Sequence, residues 1–120
     1  MKGSNNMAKK DIDWSNIGFG YMKTDKRYVS NYKNGAWDEG ALIEDDTVVI
    51  SECACVLQYA QTIFEGLKAY TTKDGNVVCF RPDLNAERLM GSAAWLEMPQ
   101  FPKERFIDAV IEVVKANAAY

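Results

Sequence analysis

The sequence of 120 residues has no histidine, only three cysteines and no apolar run near the ~20 residues of a membrane helix. Without histidine, the chain cannot build a Ser-His-Asp or Cys-His catalytic group or a histidine-ligated metal centre. Three cysteines with carboxylates are a poor ligand set for zinc, so we expect no metal site. Any catalysis must therefore use Lys, Tyr, Cys, Asp or Glu, or a cofactor.

An excess of positive charge is also missing. The chain has 14 Lys and Arg against 17 Asp and Glu, a net charge of −3. Surfaces that bind nucleic acid cluster Lys and Arg, so we expect neither a nucleic-acid nor a membrane partner. The odd number of cysteines and the absence of an apolar signal segment predict reduced thiols in the cytoplasm. Cys53 and Cys55 are interpreted as small buried apolar residues rather than as a redox pair.

Turn signals divide the first two thirds of the chain into hairpins. Asn34-Gly35 lies between Tyr28–Tyr32 and Ala36-Trp37, and this dipeptide between β-formers is a strong hairpin signal. Asp74-Gly75 predicts a second hairpin between 63–70 and 77–80. The polar residues 1–11 are predicted to be a disordered leader, of which MKGSNN is interpreted as an added segment. Residues 12–120 are predicted to form one domain.

The last third changes to helical periodicity. Leu89, Ala93 and Leu96 predict one amphipathic helix, with Asp83 or Asn85 as its N-cap. A second helix is predicted after the break at 98–102 by the apolar positions Phe106, Ala109, Val110, Val113 and Val114. Strands followed by helices predict an α+β fold, with an antiparallel sheet of hairpins followed by two helices packed on it. The second pattern has no glycine C-cap, so the sequence leaves open whether the chain continues past Tyr120.

Three motifs occur together between residues 64 and 93. Phe64–Tyr70 reads Phe-Glu-Gly-Leu-Lys-Ala-Tyr, Phe80–Pro82 reads Phe-Arg-Pro, and Arg88 is followed shortly by Ser-Ala. In this order and spacing they resemble the N-terminal small domain of branched-chain amino acid aminotransferases. These are pyridoxal-phosphate enzymes of fold type IV. The resemblance covers about residues 12–120, so it implies the fold and the function of that domain.

The resemblance implies roles for four residues. Arg88 matches the arginine that contacts the phosphate of pyridoxal 5'-phosphate, and Phe64 matches an aromatic residue that lines the substrate side-chain pocket. Tyr59 matches a tyrosine that reaches toward the active site of the neighbouring subunit, and Gly66 would let the backbone pass close to substrate. Taken without the motif, Arg88 would be a solvated helix residue paired with neighbouring acids, and Phe64 would be a core residue. Glu65 would be an exposed strand carboxylate.

Departures from the family pattern limit what is implied. The usual histidine before the tyrosine is Gln58 here, and the usual glycine after it is Ala60. The family's catalytic lysine lies in a large C-terminal domain, and Lys68 does not match it. The implied whole protein transfers amino groups from Leu, Ile or Val to 2-oxoglutarate. We expect this chain to be inactive and not to hold the cofactor stably.

Other functions stay open at this point. The chain could be a stand-alone interaction or dimerisation domain on the same scaffold, since a fold does not determine a function. Under either hypothesis we expect self-association, as a homodimer or larger, through exposed apolar surface. A related enzyme acting on D-amino acids or aminodeoxychorismate is less favoured, because the Phe64–Tyr70 run and the N-terminal arm fit the branched-chain group better.

Overall fold

Short antiparallel strand pairs and two long helices form the fold, which the computed structural model describes over residues 8–120. Most of the predicted leader, residues 1–7, lies outside the described residues. The strands are β1 Arg27–Val29, β2 Tyr32–Lys33, β3 Ala36–Trp37, β4 Ala41–Ile43, β5 Ala69–Thr71 and β6 Val77–Cys79. The helices are α1 Cys55–Tyr59, α2 Pro82–Trp95 and α3 Lys103–Ala116, and a 3-10 turn covers Trp14–Asn16. The predicted α+β class, with antiparallel hairpins followed by two packed helices, is confirmed.

The first hairpin turns at the predicted Asn-Gly pair. Asn34 and Gly35 have φ of 51° and 83°, as a tight two-residue turn between β2 and β3 requires. Farther from the turn β1 pairs with β4 in the register Tyr28↔Leu42. The two ladders are joined by Asp38, whose carboxylate accepts hydrogen bonds from the Ser30 hydroxyl and the Asn31 N–H, both at 2.9 Å.

A glycine is required at the far side of this hairpin. Gly40 has φ of 76°, and a Cβ there would overlap the ring of Tyr28. The Tyr28 hydroxyl donates to the Glu39 carbonyl at 2.7 Å, which holds the ring across the glycine. The absence of a side chain at position 40 therefore allows β1 to keep its register against β4.

The second hairpin is shorter than its sequence predicts. Strands β5 and β6 pair through Tyr70↔Val78, with Gly75 at φ 79° in the turn. The predicted first strand of this hairpin begins at Ala69 rather than at Ile63, because residues 61–68 pack along a helix instead. Residues 47–50 form no strand, and residues 55–59 form the short helix α1.

The two long helices pack on each other, and α3 packs against β1. Ala86 and Ala93 of α2 are the hydrophobic residues fully buried within 8–120, and their spacing of two helical turns places both on one face. The apolar face of α3, with Phe106, Val110 and Val113, lies over an open cleft of about 580 Å³ beside β1 and β6. Beyond α3 the Asn117 amide donates to the Lys26 carbonyl at 2.8 Å and accepts from the Lys26 N–H at 3.0 Å.

Much apolar surface remains uncovered. Many large apolar side chains within 8–120 are exposed. Phe64, Phe80 and Trp95 are 93%, 86% and 88% exposed. Cys53 and Cys55 are also exposed, so the prediction that they are buried is wrong. None of the helices described in 8–120 has the length and apolar character needed to cross a membrane.

Candidate functional site

The candidate site begins with the extended segment 61–66, which runs antiparallel along helix α2. At one end the Gln61 side chain donates to the Leu96 carbonyl at 2.8 Å, and at the other the Asn85 side chain donates to the Gly66 carbonyl at 2.8 Å. Four extended residues span roughly 13 Å. The eight residue steps from Arg88 to Leu96 rise roughly 12 Å, so segment and helix stay in step.

The centre of the site is an ion pair between this segment and the helix. Arg88 Nε donates to Glu65 Oε2 at 2.9 Å, and Arg88 Nη2 donates to Glu65 Oε1. The pairing is bidentate, which is the strongest arrangement of a guanidinium and a carboxylate. The Glu65 side chain is 7% exposed, whereas that of Arg88 is 67% exposed. The pair is therefore anchored at its carboxylate end and open at its cationic end.

Two further donors complete the surroundings of the carboxylate. The Asn85 amide donates to Glu65 Oε1 at 2.9 Å, and the Gly66 N–H donates to the same oxygen at 3.1 Å. Because Asn85 and Arg88 lie three residues apart on α2, both project from one face of the helix. The carboxylate thus accepts from arginine, amide and backbone donors together.

These donors change the acidity of Glu65. The hydrogen bond from Arg88 lowers the pKa of Glu65 from 4.5 to about 2, although desolvation opposes the shift. The pairing with Glu65 in turn raises the pKa of Arg88. Glu65 is therefore ionised at neutral pH and is largely enclosed. The sequence expectation of an exposed strand carboxylate is wrong, because α2 covers this side of the segment.

The acids near Arg88 in sequence have other partners. Asp83 accepts from Arg81 Nη2 at 2.7 Å, and Glu87 accepts from Lys103 at 2.5 Å. Local pairing of Arg88 with either acid, the interpretation available without the motif, is thus not what the structure shows. The predicted N-caps are also wrong, since α2 begins after Arg81 without a side-chain cap. Asn85 instead bridges to Glu65.

The outer edge of Arg88 faces away from Glu65. A guanidinium carries five N–H groups. Nε and one Nη2 hydrogen bind Glu65, and within the described part of the chain Nη1 has no hydrogen-bond partner. The Nη1 and Nη2 edge can therefore accept a second planar or tetrahedral anion, with phosphate and carboxylate as the natural ligands.

The other predicted site residues lie on the solvent side. From Gln61 to Lys68 half-buried and exposed residues alternate, which places Phe64 and Gly66 on the exposed face and Glu65 on the helix side. Gly66 has open space where a Cβ would lie, so no group within 8–120 requires glycine there. Tyr59 ends α1 and is 82% exposed. The structure thus brings Gly66 beside Arg88 through Asn85, and leaves Tyr59 outside this hydrogen-bonded cluster.

The residue after Tyr59, where the family pattern has glycine, has a left-handed backbone conformation. Ala60 has φ of 51° and ψ of 31°, in the left-handed region, and its N–H bonds back to the Cys55 carbonyl. This is the helix-ending position at which glycine is favoured, since a Cβ there costs about 1 kcal/mol. Alanine at position 60 adopts the conformation that a glycine would adopt without that cost.

Comparison with known proteins identifies relatives over most of the chain. A branched-chain-amino-acid aminotransferase of Haemophilus influenzae is 53% identical over 108 residues, which are 90% of this chain and 32% of that protein. The enzyme of that name from Helicobacter pylori is 46% identical over the same shares. This chain is homologous to branched-chain aminotransferases. The resemblance predicted from the motifs is therefore confirmed.

Further comparisons show how far the similarity extends. The methionine aminotransferase BCAT4 of Arabidopsis thaliana is 38% identical over 108 residues, 89% of this chain and 30% of that protein. No protein-family model matches the chain. The chain spans about a third of the length of the branched-chain aminotransferases it matches, so the activity of a whole aminotransferase is a matter of proposal for it.

The lowered pKa predicts how Glu65 contributes to stability. Because its folded pKa of about 2 lies below the ordinary 4.5, ionised Glu65 stabilises the fold fully above about pH 4.5, and this contribution is lost as the pH falls toward 2. We expect Glu65→Gln to lower the free energy of unfolding at neutral pH by about 1–2 kcal/mol. In urea unfolding at a series of pH values, the difference from wild type should shrink below about pH 4.

A matched control separates this effect from the other acids. Asp83 also has a pKa lowered to about 2, by its hydrogen bond from Arg81, but it is the more exposed carboxylate. Asp83→Asn should therefore cost less at neutral pH than Glu65→Gln. If the loss of unfolding free energy in Glu65→Gln stayed the same as the pH fell toward 2, it would contradict the assignment.

Proposed function

We propose that residues 12–120 form the small domain of a pyridoxal-phosphate-dependent branched-chain aminotransferase. The observation that supports this best is the exposed outer edge of Arg88, held in place by Glu65 in a region homologous to such enzymes. The proposed reaction of the whole protein moves an amino group from Leu, Ile or Val to 2-oxoglutarate. Its small-molecule partners are accordingly amino acids and 2-oxo acids.

The residues present fit one part of the cofactor. A guanidinium with a free pair of N–H groups binds phosphate in a bidentate manner and keeps its charge at any working pH. Arg88 would hold the phosphate of pyridoxal 5'-phosphate through Nη1 and Nη2. When bound, the cofactor supplies the electron sink that amino-group transfer requires. The chain's own contribution is a fixed cation at the phosphate end.

The substrate side chain is proposed to meet the exposed face of segment 61–68. Phe64 presents nearly its whole ring there, and Gly66 beside it leaves the backbone bare. Burial of an apolar side chain against such a surface stabilises binding by roughly 25 cal/mol per Å². We therefore propose an apolar substrate preference in which Phe64 forms part of the pocket wall, with Tyr59 placed at the neighbouring subunit's site.

The chain alone is proposed to be inactive. Lys68 is exposed on the segment and does not match the lysine that the family uses, so the cofactor would lack its attachment point in this chain. The proposed location is the cytoplasm, where Cys53, Cys55 and Cys79 would stay reduced.

A comparison of two proteins tests this proposal. The chain as it stands, mixed with pyridoxal phosphate, should give no saturable visible absorbance band and no amino transfer from leucine to 2-oxoglutarate. Any longer product of the same reading frame should catalyse that transfer, and Arg88→Lys should weaken its apparent cofactor affinity by about tenfold or more. Arg81→Lys, a change at the other arginine–carboxylate pair of α2, should leave it nearly unchanged.

Two results would refute the proposal. One is a stoichiometric absorbance band in the 120-residue chain that a single lysine substitution removes. The other is a longer product that binds pyridoxal phosphate but transfers no amino group from any branched-chain amino acid.

A second candidate function, a stand-alone interaction or dimerisation domain, is favoured by the uncovered apolar surface. Large apolar side chains within 8–120 are exposed along the segment, on β6's end and on α2, and obligate interfaces are rich in such residues. Phe64, Phe80 and Trp95 are almost entirely exposed. Under either function the chain is proposed to self-associate, because surface of this kind is rarely left in water.

Sedimentation measures this directly. The chain should sediment as a dimer or larger species at high concentration, and Phe64→Ser should shift it toward monomer. Val49→Ser alters a residue that is 97% exposed but lies outside the segment, and it should have little effect. A monomer at every concentration would refute self-association, and equal effects of both variants would exclude the Phe64 face as its site.

A further inference from the structure

Glu65 is the one carboxylate of the candidate site, and a negative charge beside a phosphate-binding arginine requires an explanation. We propose that Glu65 is a positioning residue: it holds the inner edge of the Arg88 guanidinium so that the outer edge is presented to a phosphate group. This inference rests on the proposed phosphate role of Arg88. It assigns a different binding partner to each of the two edges of that side chain.

The geometry divides the donors cleanly. Nε and Nη2 form the inner edge and bind the two Glu65 oxygens. The remaining edge, Nη1 with the second Nη2 hydrogen, points away from the carboxylate because the guanidinium is planar. A phosphate bound there would receive two parallel hydrogen bonds without displacing Glu65.

Burial shows which partner is fixed. Glu65 is 7% exposed and also accepts from Asn85 and the Gly66 backbone, so the carboxylate cannot move freely. Arg88 is 67% exposed and would otherwise sample many rotamers. The enclosed Glu65 carboxylate therefore determines the orientation of the exposed Arg88 guanidinium.

The Arg81–Asp83 pair lacks this arrangement. Asp83 accepts from Arg81 Nε at 3.0 Å and from Nη2 at 2.7 Å, so the inner edge is used in the same way. However, the Asp83 side chain is 31% exposed and lies only two residues away on the same helix start. Arg81 thus provides a matched arginine pair whose acid is not anchored by a second segment.

Charge repulsion and positioning predict different effects of Glu65→Asp on phosphate binding. Glu65 repels an incoming anion, so charge alone predicts that its removal strengthens phosphate binding. Glu65→Asp keeps the charge and shortens the side chain by one methylene, so that it no longer reaches both nitrogens. A positioning role predicts weaker phosphate binding in this variant although the net charge is unchanged.

The experiment uses the 120-residue chain, labelled with ¹⁵N and titrated with inorganic phosphate at constant ionic strength. In wild type the Arg88 Nε–H signal should be shifted from the free-arginine position, and the Nη signals should respond to phosphate. Glu65→Asp should move the Nε–H signal toward the free position and weaken phosphate binding about fivefold, the effect of releasing one ordered arginine side chain. Asp83→Glu is the control and should change neither readout.

Three outcomes would overturn the inference. They are unchanged phosphate affinity in Glu65→Asp, tighter binding in that variant, or no response of Arg88 to phosphate in wild type. If Glu65→Asp fails to fold, Glu65→Gln retains one acceptor oxygen and should likewise release the Nε–H signal, and a retained shift there would overturn it. None of these results decides the proposed aminotransferase function, which the longer product tests through amino transfer.

Discussion

The pairing of Glu65 with Arg88 is the contact on which the rest of the candidate site depends. It joins residues 61–66 to helix α2, and this segment needs such contacts because residues 61–68 form no strand and have no ladder hydrogen bonds. Buried carboxylates are costly unless they are fully hydrogen-bonded. Glu65 meets this condition through Arg88, Asn85 and Gly66, and the same bonds turn Phe64 to the exposed face.

Local signals in the sequence predicted the parts of the fold that local chemistry determines. The Asn34-Gly35 turn forms as expected because glycine and asparagine tolerate positive φ, and the apolar rhythm after residue 102 predicted α3. The strand expected from Ile63 onward was wrong in extent. Its alternating pattern is real, but the partner covering it is a helix rather than a strand, and a period of two does not identify the partner.

The candidate site was predictable only through the family motif. Arg88 could be selected by resemblance, but its partner could not, because Asp83 and Glu87 are nearer in sequence and equally charged. The actual partner, Glu65, lies 23 residues away and depends on how the segment docks. Asn85 was expected to be an N-cap because it lies near the start of the predicted helix, whereas its amide binds Glu65. The spacing of Asn85 and Arg88 on one helical face was the available signal.

The exposed surface and the left-handed Ala60 fit one interpretation of the molecule. Aromatic side chains such as Phe80 and Trp95 remain almost uncovered, and a strained alanine ends α1 beside the exposed Tyr59. Exposed apolar surface is unfavourable in an isolated chain and becomes favourable when another body covers it. The exposed aromatic residues therefore agree with the proposed self-association.

A double-mutant cycle on Glu65 and Arg88 tests the central contact most directly. The free energies of unfolding of wild type, Glu65→Gln, Arg88→Met and the double variant give the coupling between the two side chains. Our account predicts a coupling of at least about 1 kcal/mol, above that of an ordinary surface pair. A coupling below about 0.3 kcal/mol would show that segment 61–66 is held by other contacts, and would contradict the account.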